Sequence, residues 1–489
     1  MERTSAIAAM TQEEQPMVWG TGRVPVDGVG PVAVATGSTT TEDAASVSTK
    51  PAVGRVMAAV VYLLPALAAF GPLIPGIGSL FAFRLAAVLL LIVALLSKKG
   101  QTRSATRTIT LILAVTWLFV TAVGLLVAGP SSNTFSELLS LLTGLAILIA
   151  IAIARAPVAL LMALLRGWLL AYGVISVYAV IEIVTGFSLS SSYADERALD
   201  GWGITVSFYN PNNYATFLLF SYIALVVLWS RSRGRGTRLA AALAIITVPV
   251  FMAATNSRTG VLILAVFVLV SIFLALRARP GLMIMFLLLT LVALILVLEG
   301  IAQNPFEGYA QYAGTSGYAI EFIGLSIPID ISTFVRWQLV LAGLTLAGSN
   351  LALGGGAGSF EDYVDLSGAR GQTLGIVNPH NGFIEVLSQY GAIVFVVFII
   401  WLFRMLQMAS RARRRPNRFS SGGWMVVAVG IVCLPFILTM HSSAIEPSTT
   451  WIYFAMLLLI ARSEEEPQDD EQSVASTRPQ RPSPRSFVR

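Results

Sequence analysis

An all-α, polytopic membrane fold follows from three features of this 489-residue chain. Its residues are 56% hydrophobic and only 12% charged, apolar runs of spanning length recur from end to end, and cationic residues gather in short loops between those runs. The formal charge of +6 would point to nucleic acid in a soluble chain. Confined to loops between apolar runs, it orients helices in a bilayer instead, and no nucleic-acid partner is expected. The single cysteine, Cys433, lies inside an apolar run, which excludes an intrachain disulfide and a thiolate metal site.

Residues 1–54 mix Thr, Ser, Gly, Val and acidic side chains. They lack the basic start and apolar core of a secretory signal and are read as a flexible cytoplasmic tail. A spanning helix needs roughly 20 apolar residues. Runs centred near Leu64, Leu89, Trp117, Leu145, Ile175, Leu225, Ile246, Phe267 and Leu288 predict transmembrane helices 1–9 within residues 55–298. The fifth carries Arg166 near its start and can begin as an interfacial segment. Runs near Val397, Val429 and Phe454 predict helices 10–12 within residues 389–462, for about twelve spans in all. Residues 463–489, rich in Glu, Asp, Gln, Ser, Pro and Arg, cannot bury enough apolar surface to fold alone and are read as a disordered cytoplasmic tail.

Between helices 9 and 10, residues 299–388 form a large, partly helical loop. Within it Trp337 to Ala347 is apolar but too short to span, so it is expected at the interface. The glycine-rich stretch Leu353 to Phe360 reads as a flexible turn that lets backbone approach a ligand closely. A nucleotide-binding loop is disfavoured, because no strand pattern precedes these glycines.

The cationic loops fall on alternate connections: Lys98, Lys99, Arg103 and Arg107; Arg155; Arg231, Arg233, Arg235 and Arg238; Arg277 and Arg279; and Arg411 to Arg418. The positive-inside rule places these, and both termini, in the cytoplasm. Residues 187–212, the turn Asn256 to Arg258, the 299–388 loop and the turn His441 to Glu446 then face outward.

Both histidines of the chain fall on that outer side. His380 lies in Asn378-Pro379-His380-Asn381-Gly382-Phe383-Ile384-Glu385, just before an apolar run. With Asn378 as N-cap and Pro379 as first helical residue, it would sit in a helix's first turn, where the dipole keeps imidazole neutral and able to accept a proton. Two readings fit, a general base acting on a lipid-borne substrate and a histidine that caps a loop. Arg258, in Asn256-Ser257-Arg258-Thr259-Gly260, and Arg336, before the Trp337 segment, stand where outward arginine is disfavoured. Each alone could snorkel to headgroups or pair with Asp330 or Glu385; two beside a histidine suit a diphosphate, whose oxygens match the guanidinium fork.

Phe208-Tyr209-Asn210-Pro211-Asn212 opens the sixth span, with Asn210 as an expected N-cap whose amide, like that of Asn212, could also serve a sugar. His441 has no arginine beside it in sequence and is expected to matter less. No His, Asp or Glu grouping has metal-ligand spacing and no Gly-x-Ser-x-Gly elbow occurs, so neither metal nor cofactor is expected.

Taken in order, Phe208 to Asn212, Asn256 to Gly260, Arg336 through the glycines to Phe360, and His380-Asn381-Gly382-Phe383 with Glu385 and Gly391 resemble the O-antigen ligase and Wzy-type O-antigen polymerase family. Phe383, at a site often leucine, and Asn350-Leu351, in place of a frequent Asn-Pro, are departures from its pattern. The resemblance implies a bacterial, multi-pass protein of the cytoplasmic membrane. It would move a glycan from an undecaprenyl-diphosphate carrier to a glycan or lipid acceptor hydroxyl in polysaccharide biosynthesis. It further implies His380 as catalytic base, Arg258 and Arg336 on the diphosphate, and Asn210, Asn212, Asn381 and Glu385 near the substrate. The rival from another class is a transporter or flippase of a lipid-linked glycan or small solute, which would place charges in the middle of several spans. Most spans here lack them.

The alternating cationic loops generate a labelling experiment. In a Cys433→Ser background, single cysteines near Gly100, Arg235 and Arg413 should resist an impermeant maleimide in intact cells, while those near Ser191, Gln311 and Ser367 should react. Protection of the 299–388 segment from outside would invert the expected topology.

Overall fold

The computed structural model describes residues 50–74, 80–97, 104–130, 133–187, 203–208, 210–276, 331–368, 375–412 and 421–465, strands at 319–322 and 325–328, and isolated positions 189, 281–282, 284–285 and 373. The expected span near Leu288, residues 1–49 and 466–489, and much of the outer loop lie outside the described residues.

The helices in chain order are α1 Lys50–Phe70, α2 Ala82–Leu96, α3 Ala105–Ala128, α4 Thr134–Ile153, α5 Pro157–Thr185, α6 Pro211–Arg231, α7 Arg235–Ala254, α8 Arg258–Leu276, α9 Ile331–Ser349, α10 Ser359–Leu366, α11 Gly382–Ala412, α12 Ser421–Val432 and α13 Ser448–Glu465. Among the described residues eight helices (α1, α3 to α8 and α11) are long and apolar enough to cross a membrane. α2 and α12 are apolar but shorter, and α13 ends in Arg462, Glu464 and Glu465. The outer loop also holds an antiparallel hairpin, β1 Ala319–Phe322 with β2 Leu325–Pro328, which helical periodicity did not anticipate.

α13 is the centre of the bundle. Every residue from Thr449 to Glu464 is buried, because α1, α3, α4, α5, α6 and α11 surround it. A helix apolar all round has no lipid-facing preference and fits such a position. Close approach is bought by glycine: a Cβ on Gly144 of α4 would lie 2.0 Å from the Trp451 ring. Tyr453 stacks on Phe220 of α6, with centroids 4.1 Å apart and planes 8° from parallel.

The charged end of α13 is held rather than solvated. Arg462 donates to the Ile151 carbonyl at the end of α4 at 2.5 Å, an oxygen that also accepts from the Ala154 N–H at 3.3 Å. Arg231 pairs with Glu464 at 3.4 Å, and Arg404 with Glu465 at 2.5 Å; Ser104 and Thr106 also donate to Glu465. All these groups belong to helix ends expected on the cytoplasmic side. The ends expected outside gather at the opposite end of the bundle.

α11 breaks at Gly391, whose φ of 73° is left-handed. The break strips partners from groups on both sides, and the glycine-rich stretch replaces them. Gly355 and Gly356 N–H groups donate to the Ser388 and Gln389 carbonyls at 2.8 and 2.9 Å, while Ala392 N–H donates to the Leu351 carbonyl at 2.7 Å. Gly358 N–H adds a bond to the Gln389 side chain at 2.5 Å. The glycines therefore allow close approach to the α11 backbone. Alongside, α9 and α10 form a second apolar cluster through Val335, Leu339, Ala342, Leu346, Phe360 and Val364. Gly343 of α9 admits Ile384 of α11, whose methyl would lie 2.2 Å from an added Cβ.

Gly391→Ala should be costly, because its Cβ would sit 2.3 Å from the Ala352 carbonyl oxygen and the backbone is left-handed. Strain and overpacking together amount to at least about 2 kcal/mol. The expected readout is a lower Tm in detergent, with Gly348→Ala, where an added Cβ meets nothing within 4 Å, as the tolerated control.

Candidate functional site

The end of the bundle expected to face outward is organised around the loop from Leu438 to Pro447, between the short helical turn Leu434–Ile437 and α13. The segment before α11 pairs with this loop along its backbone. His380 N–H donates to the Ser442 carbonyl at 3.0 Å, and Gly382 N–H to the Leu438 carbonyl at 3.2 Å. Gly382 is required by proximity, since its Cβ would lie 2.2 Å from that of Ala444.

This pairing corrects the expected helix start. Asn378 and Pro379 precede the helix, and Asn381 caps α11, its side-chain oxygen accepting from Phe383 and Ile384 N–H at 3.1 and 3.2 Å. His380 lies one residue before the cap with φ of 45°, a left-handed conformation uncommon outside glycine, rather than in the first turn. The bond to Ser442 takes the N–H that a helical start at Pro379 would have used differently. His380 is still held neutral, but for other reasons. Burial, then the nearby Arg336 charge, push its pKa down to about 4, partly offset by a hydrogen bond to the His441 backbone. Its Nδ1 is buried without a hydrogen-bond partner.

Arg336 and Gly343 lie seven residues apart on α9 and so share a face, the one that meets the start of α11. Arg258 begins α8 and is exposed, lining a pocket of about 730 Å³ with Asn256 and Ser257. Its turn reaches the histidine loop through Gly260, where a Cβ would meet the Met440 methyl at 3.1 Å. Arg336 is close enough to His380 to lower its pKa, whereas the residues lining the Arg258 pocket include neither Arg336 nor either histidine.

Asn210 caps α6 as expected, accepting from Asn213 N–H at 2.9 Å, and also donates to Ser442 Oγ at 3.3 Å. Asn212 is half-buried in the first turn of α6. Glu385 is 1% exposed and committed: its carboxylate accepts from Ser443 Oγ and Ala444 N–H, both at 2.5 Å. That geometry makes it a latch on the loop rather than an open sugar ligand.

His441 is the residue the sequence undervalued. It is 1% exposed, its Nδ1 lies 2.9 Å from Asn213 Oδ1, and its Nε2 is buried without a partner. Burial first, then His380, push its pKa down to about 3. Asn213 and Ser442, its neighbours in space, carried no distinguishing sequence signal. Near the site Glu361 of α10 accepts from Asn133, and burial with Glu446, Asp362 and Asp365 pushes its pKa up to about 7.

With the geometry in hand, the similarity to known proteins is specific. Residues 239–399 match the O-antigen ligase family, a stretch from α7 into α11 that holds Arg258, Arg336, His380, Asn381 and Glu385. Asn210, Asn212 and His441 fall outside it. No curated protein matches the chain.

The two imidazoles generate a stability experiment. Each has a folded pKa below the ordinary 6.5, so its neutral form contributes stability fully above that pH. This contribution is lost as pH falls through about 4 for His380 and about 3 for His441. Glu361, raised to about 7, acts with the opposite sign. The informative quantity is therefore a difference: between pH 7 and pH 5 wild-type Tm should fall more steeply than that of His441→Phe. Parallel curves would mean that His441 titrates as an ordinary exposed imidazole.

Proposed function

We propose that the chain is a glycosyltransferase of the bacterial cytoplasmic membrane, moving or polymerising a glycan from an undecaprenyl-diphosphate carrier onto an acceptor hydroxyl at the outer face. The observation that carries this reading is a half-buried histidine, its pKa lowered, beside an arginine at the end of a bundle whose stretch matching the O-antigen ligase family contains both. A soluble acid–base site would not need its cations at the rim of apolar helices.

In the reaction His380 accepts the proton of the acceptor hydroxyl as that oxygen attacks the anomeric carbon. The bond between the anomeric carbon and the diphosphate oxygen breaks, and its electron pair leaves with the diphosphate. Arg258 and Arg336 bind that group and stabilise the charge that grows on it. Attack opposite the leaving group inverts the anomeric centre. Asn381 and Glu385 position the base through the cap and the latch, while Asn210 and Asn212 are placed for the glycan from the α6 side.

Substitutions at three positions test the roles by transfer in membranes, with donor binding assayed separately. His380→Ala should bind lipid-linked donor and transfer at least about 10²-fold more slowly. Arg258→Ala and Arg336→Ala should lose donor binding as well, and lysine at either position should recover only part, since an ammonium cannot make the paired contacts. Chelator should leave transfer intact. Near-normal transfer by His380→Ala would reduce the histidine to a loop cap and remove the mechanism.

A further inference from the structure

We infer that Glu182 is a positioning residue for Arg258, holding in place the segment 203–206 on which the Arg258 turn rests. The inference depends on the reading of Arg258 as a ligand of the donor diphosphate, and Glu182 lies outside the family-matched stretch.

Glu182 stands where an acid is disfavoured twice over. It lies in the last turn of α5, at the negative end of that helix's dipole, and is only 6% exposed. Its carboxylate is committed to the backbone of the segment before α6: one oxygen accepts from Thr205 N–H at 3.1 Å and the other from Val206 N–H at 2.6 Å. Thr205 and Val206 are themselves buried, so water cannot take the place of the carboxylate. Val206 is held with φ of 56°, a left-handed conformation that a β-branched residue rarely adopts. Such strain persists only where the surroundings impose it, and it gathers at functional sites.

The same segment supports the Arg258 turn. Ile204 N–H donates to the carbonyl of Ala254, the last residue of α7, at 3.1 Å. Gly203 lies so close to the next residue that an added Cβ would sit 2.1 Å from the Thr255 carbonyl oxygen. From Thr255 the turn is tied link by link to α8. Thr255 Oγ1 accepts from Ser257 N–H at 3.2 Å, and Ser257 Oγ accepts from Gly260 N–H at 3.3 Å, capping the helix that Arg258 begins. Asn256, between the two, has φ of 55°. Glu182, residues 203–206, the turn and the start of α8 therefore form one continuous chain of hydrogen bonds and close contacts. Arg336 comes from α9, which supplies none of these contacts. A guanidinium fork recognises phosphate by paired bonds, and a displacement of about 1 Å in a positioning group can cost about 10²-fold.

The test is a double-mutant cycle on the binding of undecaprenyl diphosphate to full-length protein in membranes. Glu182→Gln keeps the side chain's size but offers one oxygen to two N–H groups, and its NH2 faces the other donor. We expect it to weaken binding by about tenfold while the acceptor KM stays within about twofold. Arg258→Ala should weaken binding by about a hundredfold in the wild-type background and by about tenfold or less beside Glu182→Gln, because the arginine is already displaced there. Arg336→Ala should cost a similar factor in both backgrounds. Gly203→Ala, which cuts the same chain at its far contact, should reproduce the coupling to Arg258, and carries the test if Glu182→Gln is not recovered in membranes. Equal factors for Arg258→Ala with and without these changes would overturn the inference and leave the diphosphate reading of Arg258 standing. Equal coupling to Arg258 and Arg336 would show a general loosening of the bundle and would overturn it too. Undiminished binding by Arg258→Ala in the wild-type background would sink the reading on which the inference depends, and the inference with it.

Discussion

A helix broken inside hydrocarbon must hand its stranded backbone groups to other protein groups, because no water is present to take them. The break in α11 at Gly391 meets that obligation through the glycine-rich stretch after α9, whose amides take the Ser388 and Gln389 carbonyls. Everything outward of the break then depends on this exchange. The segment of α11 before the break, which carries Glu385 and follows the Asn381 cap, is hydrogen-bonded to the glycine-rich stretch through the Ser388 and Gln389 carbonyls, and α9, which brings Arg336, leads into that stretch by chain continuity. The same segment meets the loop at 438–447 through Gly382 and α9 through Ile384.

Glu385 shows how the same rule operates with a polar side chain. A carboxyl group almost completely buried would be expensive alone, but it receives two short hydrogen bonds from Ser443 and Ala444. The pair offsets part of the desolvation and fixes the loop against the start of α11. Ser443 Oγ in turn accepts from Ile445 and Glu446 N–H, both at 3.1 Å. The loop bearing His441 is thus ordered from within and anchored from outside, which allows an unpartnered imidazole nitrogen to persist beside His380.

What the sequence disclosed and what it hid divide along the range of the interactions. Span length and loop charge are local quantities, and eight expected spans recur as apolar helices of crossing length. The order of the glycine, arginine and histidine motifs was legible, as was the Asn210 cap, because a cap is a contact across three residues. The start of α11 was not: Asn378 and Asn381 both precede plausible helices, and the choice is made by Ser442, far away in sequence. The centrality of α13 was equally hidden, since an evenly apolar helix reads the same whether lipid or protein surrounds it. Glycines 354 to 358 announced a close backbone approach without saying to what. His441 was discounted for having no arginine beside it in sequence, whereas its partners Asn213 and His380 come from other elements.

A base with a pKa near 4 is poorly matched to removing a hydroxyl proton, and the cause of that low value indicates how the mismatch is relieved. Burial is one part and stays constant. The other named part is the positive field of Arg336, which an anion bound on the guanidinium would weaken. On the proposed reaction the donor's diphosphate settles on that arginine, cancels much of its field at His380, and so raises the basicity of the ring when an activated sugar is present. The acceptor would then be deprotonated most effectively against a loaded carrier and least effectively in its absence. A single guanidinium would serve both to hold the leaving group and to keep the base weak until the leaving group arrives.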